Sequence, residues 1–261
     1  MANSLIGGLV AKNNEAAKHL YLFEPSQEKA TELKNRYGLN LALNNEELIS
    51  NCDVVVIAVK PQALKNILIP LRSVFSEKQP LIISVVAGIR ATSIEQWLEQ
   101  DVALIRVMPN TPALIGKGAS GLFANKNVNS DQKTVAQSML DAVGLVEWVE
   151  NEDDIDSITA LSGSGPAYFM LFIQGLIEAS VKAGIAPETA KNLAVQTAIG
   201  SAELVLSSDI PLQKLIENVT SPNGTTEQAL ISFSNSNLKG IIEEAFNSAR
   251  KRSTELADEL G

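Results

Sequence analysis

Asp53-Val54-Val55-Val56-Ile57-Ala58-Val59-Lys60-Pro61 is a β-branched apolar run that stops at a proline. A run that is apolar at successive positions, rather than at alternate ones, suits a strand covered on both faces, as in a parallel sheet. Pro61 ends the run and fits the first turn of a helix, because its ring fixes φ and its missing N–H is not needed there. A strand that passes at once into a helix is the βα half of a βαβ unit.

Outward from this stretch the pattern repeats. Residues 62–71 read as the helix, 80–87 as the next buried strand, 92–98 as a helix with Thr92 as cap and Glu95 three residues on, and 103–107 as another strand. Upstream, residues 20–23 form a short β-rich run, and 26–37 a helix that Gly38 stops. Beyond Gly116 two further runs, 119–124 and 145–149, flank a helix over 131–142. From Asn151 the β-rich runs cease and helical periodicity covers 153–161, 166–183, 187–206 and 238–260. The expectation is an α/β, doubly wound Rossmann-like domain over residues 1–150 and an all-α domain over 151–261. With no Pro/Gly/Ser linker at the junction, the two are expected to pack with a small-molecule cleft between them.

The opening of the chain departs from that fold. Residues 1–11 read as a helix, with Gly7 and Gly8 too deep in it to form a phosphate loop and better placed for close packing. In a doubly wound sheet the first strand is central and feeds a glycine-rich turn. Its loss would leave backbone groups of both neighbouring strands unpaired. The expectation is a sequence truncated ahead of Met1, lacking the first strand and glycine-rich loop, and unstable or altered as written.

Composition narrows the function classes. A net charge of -9, from 30 acidic and 21 basic residues, disfavours nucleic acid, whose binding rests on clustered Lys and Arg. Cys52 is the only cysteine, so neither an intrachain disulfide nor a thiolate-rich metal site can form, and a reducing, cytoplasmic location is expected. The longest apolar helical stretch, 167–181, carries Gln174 and Glu178 and falls short of the ~20 residues of a bilayer span. It reads as a buried helix, and no membrane is expected. His19, the sole histidine, lies far in sequence from the other candidate groups, and no metal is expected.

The stretch Thr220-Ser221-Pro222-Asn223-Gly224-Thr225-Thr226 joins two helical patterns and reads as an anion cradle. Gly224 allows close approach or positive φ, Pro222 stiffens the entry, and Thr225 with Gln228 has capping-box spacing, so free N–H groups would suit a carboxylate. An ordinary capped turn would look the same. Three segments sit at expected strand ends, where this architecture binds ligands: 58–61, 86–88 and 108–113. Residues 161–168, Leu-Ser-Gly-Ser-Gly-Pro-Ala-Tyr, form a small-residue kink between helices.

In this order and spacing, Lys60-Pro61, Met108-Pro109-Asn110-Thr111-Pro112-Ala113, the 162–168 kink and Ser221 to Thr226 resemble the pyrroline-5-carboxylate reductases, the last enzymes of proline biosynthesis, along essentially the whole chain. The resemblance implies reduction of a cyclic imine by NADPH (or NADH), held on the N-terminal domain, and a homodimer formed through the helical domain, with a ring of dimers as a family possibility. It implies Thr226 as the catalytic group, its hydroxyl on the imine nitrogen. Substrate would be bound by Glu152, Asn218, Ser221, Asn223, Gly224, Thr225 and Thr226. The cofactor would be bound by Ser26, Asn45, Ala58, Val59, Lys60, Pro61, Ala87, Asn110 and Asn218. Asn223 stands where the family usually has glycine, and Glu24 is an acidic residue at the end of the second strand, where it would repel a 2′-phosphate. Two other readings are open: a truncated, non-catalytic paralogue that acts as a dimerising scaffold, and a β-hydroxyacid dehydrogenase, for which Lys182 or Lys191 would have to serve.

Overall fold

The computed structural model describes residues 1–261 and divides into two compact units, one made of Met1–Ser164 with Ser248–Gly261, the other of Gly165–Asn247. This differs from a boundary near residue 150: the helical segment after the last strand stays with the first unit, and the end of the last helix returns to it.

The first unit runs α1 (Ala2–Lys12), β1 (Tyr21–Leu22), α2 (Gln27–Tyr37), β2 (Asn40–Leu41), α3 (Asn45–Ser50), β3 (Val54–Ile57), α4 (Pro61–Leu68), α5 (Arg72–Lys78), β4 (Leu81–Ser84), α6 (Ala91–Leu98), β5 (Leu104–Met108), β6 (Gly118–Ala124), α7 (Ser130–Leu140), β7 (Gly144–Val149) and α8 (Asp154–Ile158). β3, β4 and β5 pair in parallel, β6 is antiparallel to β5, and β7 is parallel to β6. β1 and β2 form a separate two-stranded parallel sheet. β3 therefore pairs only with β4, and β1 only with β2, so each keeps one unpaired edge.

The sheet separates two cores because its side chains alternate between faces. Val55, Ile57, Ile82 and Leu104 pack on one side with Leu64, Leu68, Phe75, Ile94 and Trp97. Leu81, Ile83, Ile105 and Val107 pack on the other with Leu5, Leu122, Ala136 and Leu140. Burial on both faces is what the unbroken apolar strand runs required.

Helix boundaries follow local chemistry. Ser26 caps α2, and Gly38 ends it in the left-handed region at φ 74°. Asn129 and Gln132 form a reciprocal capping box on α7. The expected Thr92 cap is absent: α6 starts at Ala91 after Arg90, with no side-chain cap. The single helix expected over 62–71 is instead α4 followed by a 3-10 turn, Ile69–Leu71, and then α5. Pro70 lacks the N–H that an uninterrupted helix would need. Gly8 is close-packed as expected, since a Cβ there would stand 2.5 Å from Val143 Cγ1 and 2.7 Å from the Ala142 carbonyl oxygen.

The second unit holds α9 (Gly165–Lys182), α10 (Pro187–Leu206), α11 (Leu212–Asn218), α12 (Thr225–Asn235) and the first part of α13 (Leu238–Leu260). α9 is not the buried helix expected from its composition. Of its residues only Gly165 is buried, while Phe169 is 74% and Leu171 69% exposed. A π-helical turn, Thr159–Gly163, joins it to α8 without a break. The resulting run, Asp154–Lys182, is long and apolar enough to cross a membrane by length and composition alone. α10 likewise exposes Leu193, Ile199 and Leu204.

Candidate active site

In the first unit the candidate positions lie where parallel strands end. β3 stops at Ile57, and Ala58, Val59 and Lys60 continue as an exposed crest before Pro61 opens α4 as its first residue. Lys60 takes part in no ion pair, so its ammonium is free for a ligand. Beyond β4, Ala87 is exposed between buried Val86 and Gly88. Gly88 has φ +70° and sits against Leu256 of α13, 3.3 Å from where a Cβ would be. The last helix thus backs the loop that presents Ala87. A row of small, exposed residues at the carboxyl ends of β3 and β4, flanked by the N-terminus of α4, fits a flat dinucleotide lying across the sheet end.

Asn110 is more constrained. It is buried, its Nδ2 donates to the Ser162 carbonyl at 3.0 Å, and its Oδ1 accepts from the Ala119 N–H at 2.9 Å. Both ends of its amide are committed to shaping the loop after β5. Gly163 meets the same loop closely, since a Cβ there would lie 2.7 Å from Met108 Cε. The small-residue kink is therefore a close-approach device, as its sequence suggested.

Ser26 and Asn45 stand at the starts of α2 and α3, after the carboxyl ends of β1 and β2. Ser26 is the cap of α2; α3 is capped by Asn44, which leaves the half-buried Asn45 as its first residue.

Glu152 belongs to a charged cluster that the sequence reading left largely unseen. Its Oε1 accepts from Arg106 Nη1 at 2.8 Å and from the Ala91 N–H at 2.6 Å, and its Oε2 has no partner within the chain. Arg106 projects from β5 and is 5% exposed, a position where a cation requires a paired carboxylate. Beside it Arg90 bonds Asp153 at 2.7 Å, an interaction that strengthens the hold of the guanidinium on its proton. Asp156, also buried, accepts from Ser253 Oγ at 2.6 Å and Thr254 Oγ1 at 3.0 Å. These bonds fasten the end of α13 to α8 and so support the Gly88 loop. An arginine inside an otherwise apolar strand was the one signal that could have exposed this cluster in advance.

In the second unit the 220–226 stretch forms a tight turn. The Gly224 N–H donates to the Ser221 carbonyl at 3.0 Å, and Thr220 Oγ1 donates back to the Ile216 carbonyl at 2.7 Å, closing the end of α11. Asn218 is exposed as the last residue of α11. The left-handed residue is Asn223, at φ 58°, and not Gly224, whose φ is -83°. Gly224 is required for a different reason: a Cβ there would lie 2.3 Å from Ser221 Oγ and 2.9 Å from the Ser221 carbonyl oxygen.

The expected capping box between Thr225 and Gln228 does not form. Gly224 is the N-cap, no side chain caps α12, and Glu227 instead accepts from the Asn223 N–H at 2.8 Å. The N–H groups of Thr225, Thr226 and Glu227 consequently have no acceptor in the chain, and neither does the half-buried Thr226 hydroxyl. Three convergent donors and one hydroxyl can receive a carboxylate and a neighbouring polar atom. Because the Glu227 carboxylate lies beside them, the directed donors rather than net charge would hold an anion.

A cavity of about 320 Å³, lined by residues such as Asp53, Lys78, Pro80 and Gln132, lies at the amino ends of β3 and β4, the opposite end from the crest. It holds none of the candidate residues.

The chain is similar to known proteins along its whole length. Residues 152–256 match the family described as pyrroline-5-carboxylate reductase dimerisation, and residues 1–88 the family described as NADP oxidoreductase coenzyme F420-dependent. The pyrroline-5-carboxylate reductase of Pseudomonas aeruginosa is 44% identical over 261 residues, covering 100% of this chain and 95% of that protein. The enzyme of Vibrio alginolyticus is 37% identical over 98% of this chain and 94% of its own. Among solved structures, that of a pyrroline-5-carboxylate reductase from Coxiella burnetii superposes with a TM-score of 0.93 at 39% identity, covering 98% of this chain and 94% of that one. The Plasmodium falciparum pyrroline carboxylate reductase with NADP bound gives 0.86 at 36% identity, over 97% of this chain and 93% of its own.

Proposed function

We propose that this chain, which belongs to the pyrroline-5-carboxylate reductase family, reduces 1-pyrroline-5-carboxylate to L-proline with NADPH or NADH, and that Thr226 is its catalytic residue. The observation that carries the residue assignment is the uncapped start of α12, where three N–H groups and the Thr226 hydroxyl have no partner in the chain. The scaffold and β-hydroxyacid dehydrogenase readings are not favoured: the full-length relatives are reductases, and Lys182 and Lys191 are exposed helix residues with no polar partner.

The bound cofactor supplies the hydride that reaches the imine carbon. The N–H groups of Thr225, Thr226 and Glu227 hold the substrate carboxylate, with Ser221 and Gly224 forming the floor of the turn and Asn223 supplying its left-handed corner. The Thr226 hydroxyl donates to the ring nitrogen and holds the proton that this nitrogen gains. Glu152, fixed through Oε1 to Arg106 and Ala91, keeps Oε2 for the product. Asn218, at the end of α11, serves both cofactor and substrate.

On the first unit Ala58, Val59, Lys60, Pro61 and Ala87 carry the dinucleotide, Ser26 and Asn45 flank its adenosine end, and Asn110 sets the shape of the loop after β5. The unpaired edges of β1 and β3 suit a further strand ending in a glycine-rich turn, which would add a pyrophosphate site to this set.

The exposed apolar side chains of α9 and α10 are the surface through which we infer a homodimer, with a ring of dimers as the larger assembly. An exposed apolar face of this size on a helical unit is costly unless a partner covers it. The partners are then a small substrate and a second copy, and neither nucleic acid nor membrane. The cytoplasm suits a chain whose only cysteine is unpaired.

Replacing Thr226 with alanine tests the assignment. Removing one hydroxyl from the transition state costs ~1–2 kcal/mol, so kcat is expected to fall about tenfold or more, with serine at this position restoring most of it. Unchanged kinetics in the alanine variant would exclude Thr226 from catalysis.

A further inference from the structure

We infer that Glu24 makes this chain prefer NADH over NADPH, by holding a carboxylate where the 2′-phosphate of the adenosine ribose would have to sit; the inference rests on the reductase reading above.

Glu24 lies two residues beyond β1, a parallel strand whose carboxyl end opens onto α2. In a nucleotide-binding domain of this architecture, the side chain at that place meets the adenosine ribose, and its charge decides between a hydroxyl and a phosphate at the 2′ position. In this chain the carboxylate turns back on the helix. Glu24 Oε1 accepts from the Ser26 N–H at 3.1 Å, and Ser26 Oγ receives the Lys29 N–H at a long 3.5 Å. Two N–H donors at the start of α2 that could have met a phosphate are already answered from within. Glu24 is half-buried, and its Oε2 has no partner in the chain, leaving one oxygen free to accept a ribose hydroxyl.

The surrounding charges point the same way. Between Phe23 and Glu28 the charged residues are Glu24 and Glu28, and between Ala42 and Glu47, after β2, they are Glu46 and Glu47. No Lys or Arg lies in either segment to neutralise a group that carries about -1.5 to -2 charges at pH 7. Lys29 is the nearest cation along the chain, one turn into α2 and exposed, where solvent and salt screen it. The relation of residues 1–88 to an NADP oxidoreductase family marks the dinucleotide domain, but the residues at this ribose position are the chain's own.

The test is a titration of the purified protein with NADH and with NADPH, following the fluorescence of the reduced nicotinamide for Kd, together with imine-dependent oxidation of each cofactor. The wild-type chain is expected to bind NADH at least tenfold more tightly than NADPH, with kcat/KM in the same order. Glu24→Gln removes the charge but keeps an oxygen for the Ser26 N–H, and it is expected to shrink that ratio about tenfold, chiefly through tighter NADPH binding. A wild-type preference for NADPH, or a ratio that Glu24→Gln leaves unmoved, overturns the inference while leaving the reductase reading intact. Should the variant fail to fold, the wild-type ratio still decides. Tight binding of NADH with no oxidation by the imine would instead contradict the reductase reading and leave the ribose preference standing.

Discussion

Asn223 and Gly224 divide between them two demands that the family's usual glycines can both meet. Asn223 takes the left-handed conformation, which its short polar side chain tolerates better than most. Gly224 takes the close approach to Ser221, which no residue with a Cβ can make. Replacing Gly224 with alanine would press that carbon against the Ser221 carbonyl oxygen and shift the donors of α12 out of register. Overpacking of this kind costs about 1–3 kcal/mol. The expected result is a roughly tenfold rise in the imine KM, with the cofactor KM unchanged. An unchanged imine KM would show that the turn does not hold the substrate. The sequence alone left Gly224 with either role and placed the cap at Thr225. The cap lies at Gly224, whose carbonyl takes the Gln228 N–H at 3.2 Å that a Thr225 cap would have needed, a choice between two acceptors that spacing cannot rank.

At the scale of elements, the long periodic helices and the apolar strands were legible, down to both ends of α10 and the Gly38 stop of α2. The Asn40–Ser50 region was not: a two-residue strand and a six-residue helix are too short to show a period. α6 joins the sheet to its flank through Glu95, whose Oε1 accepts from Asn125 Nδ2 at 2.9 Å and Asn127 Nδ2 at 3.3 Å. Burial nevertheless pushes its carboxyl above the ordinary value of 4.5. A carboxyl raised in the folded state contributes stability that is fully present below the unfolded value and is lost as pH rises through the folded one. Glu95→Gln keeps the accepting oxygen and removes the charge. It is expected to raise the melting temperature at pH 7, with the gain over wild type shrinking as pH falls toward 4.5 and below. A variant less stable than wild type at pH 7 would mean that the ionised carboxylate is worth more to Asn125 and Asn127 than its burial costs.

At the scale of the whole molecule, the largest departure from the sequence reading is α9, read as a core helix and found with Phe169, Leu171 and their neighbours exposed. Apolar composition identifies a helix that must be covered but not what covers it, and a single chain supplies no cover here. The same limit applied to Glu152 and Arg106, whose pairing joins residues 46 positions apart and has no local signature. What the sequence carried well was the order of strand ends, kink and the turn at 220–226, since each is a short stretch with its own backbone chemistry. Whether these parts serve one reaction is read most plainly from the product. Incubating the purified chain with 1-pyrroline-5-carboxylate and reduced nicotinamide cofactor, and measuring proline and oxidised cofactor together, is expected to give one L-proline for each cofactor oxidised and no oxidation without the imine. A folded dimer that binds cofactor yet forms no proline would show that these parts do not serve one reaction.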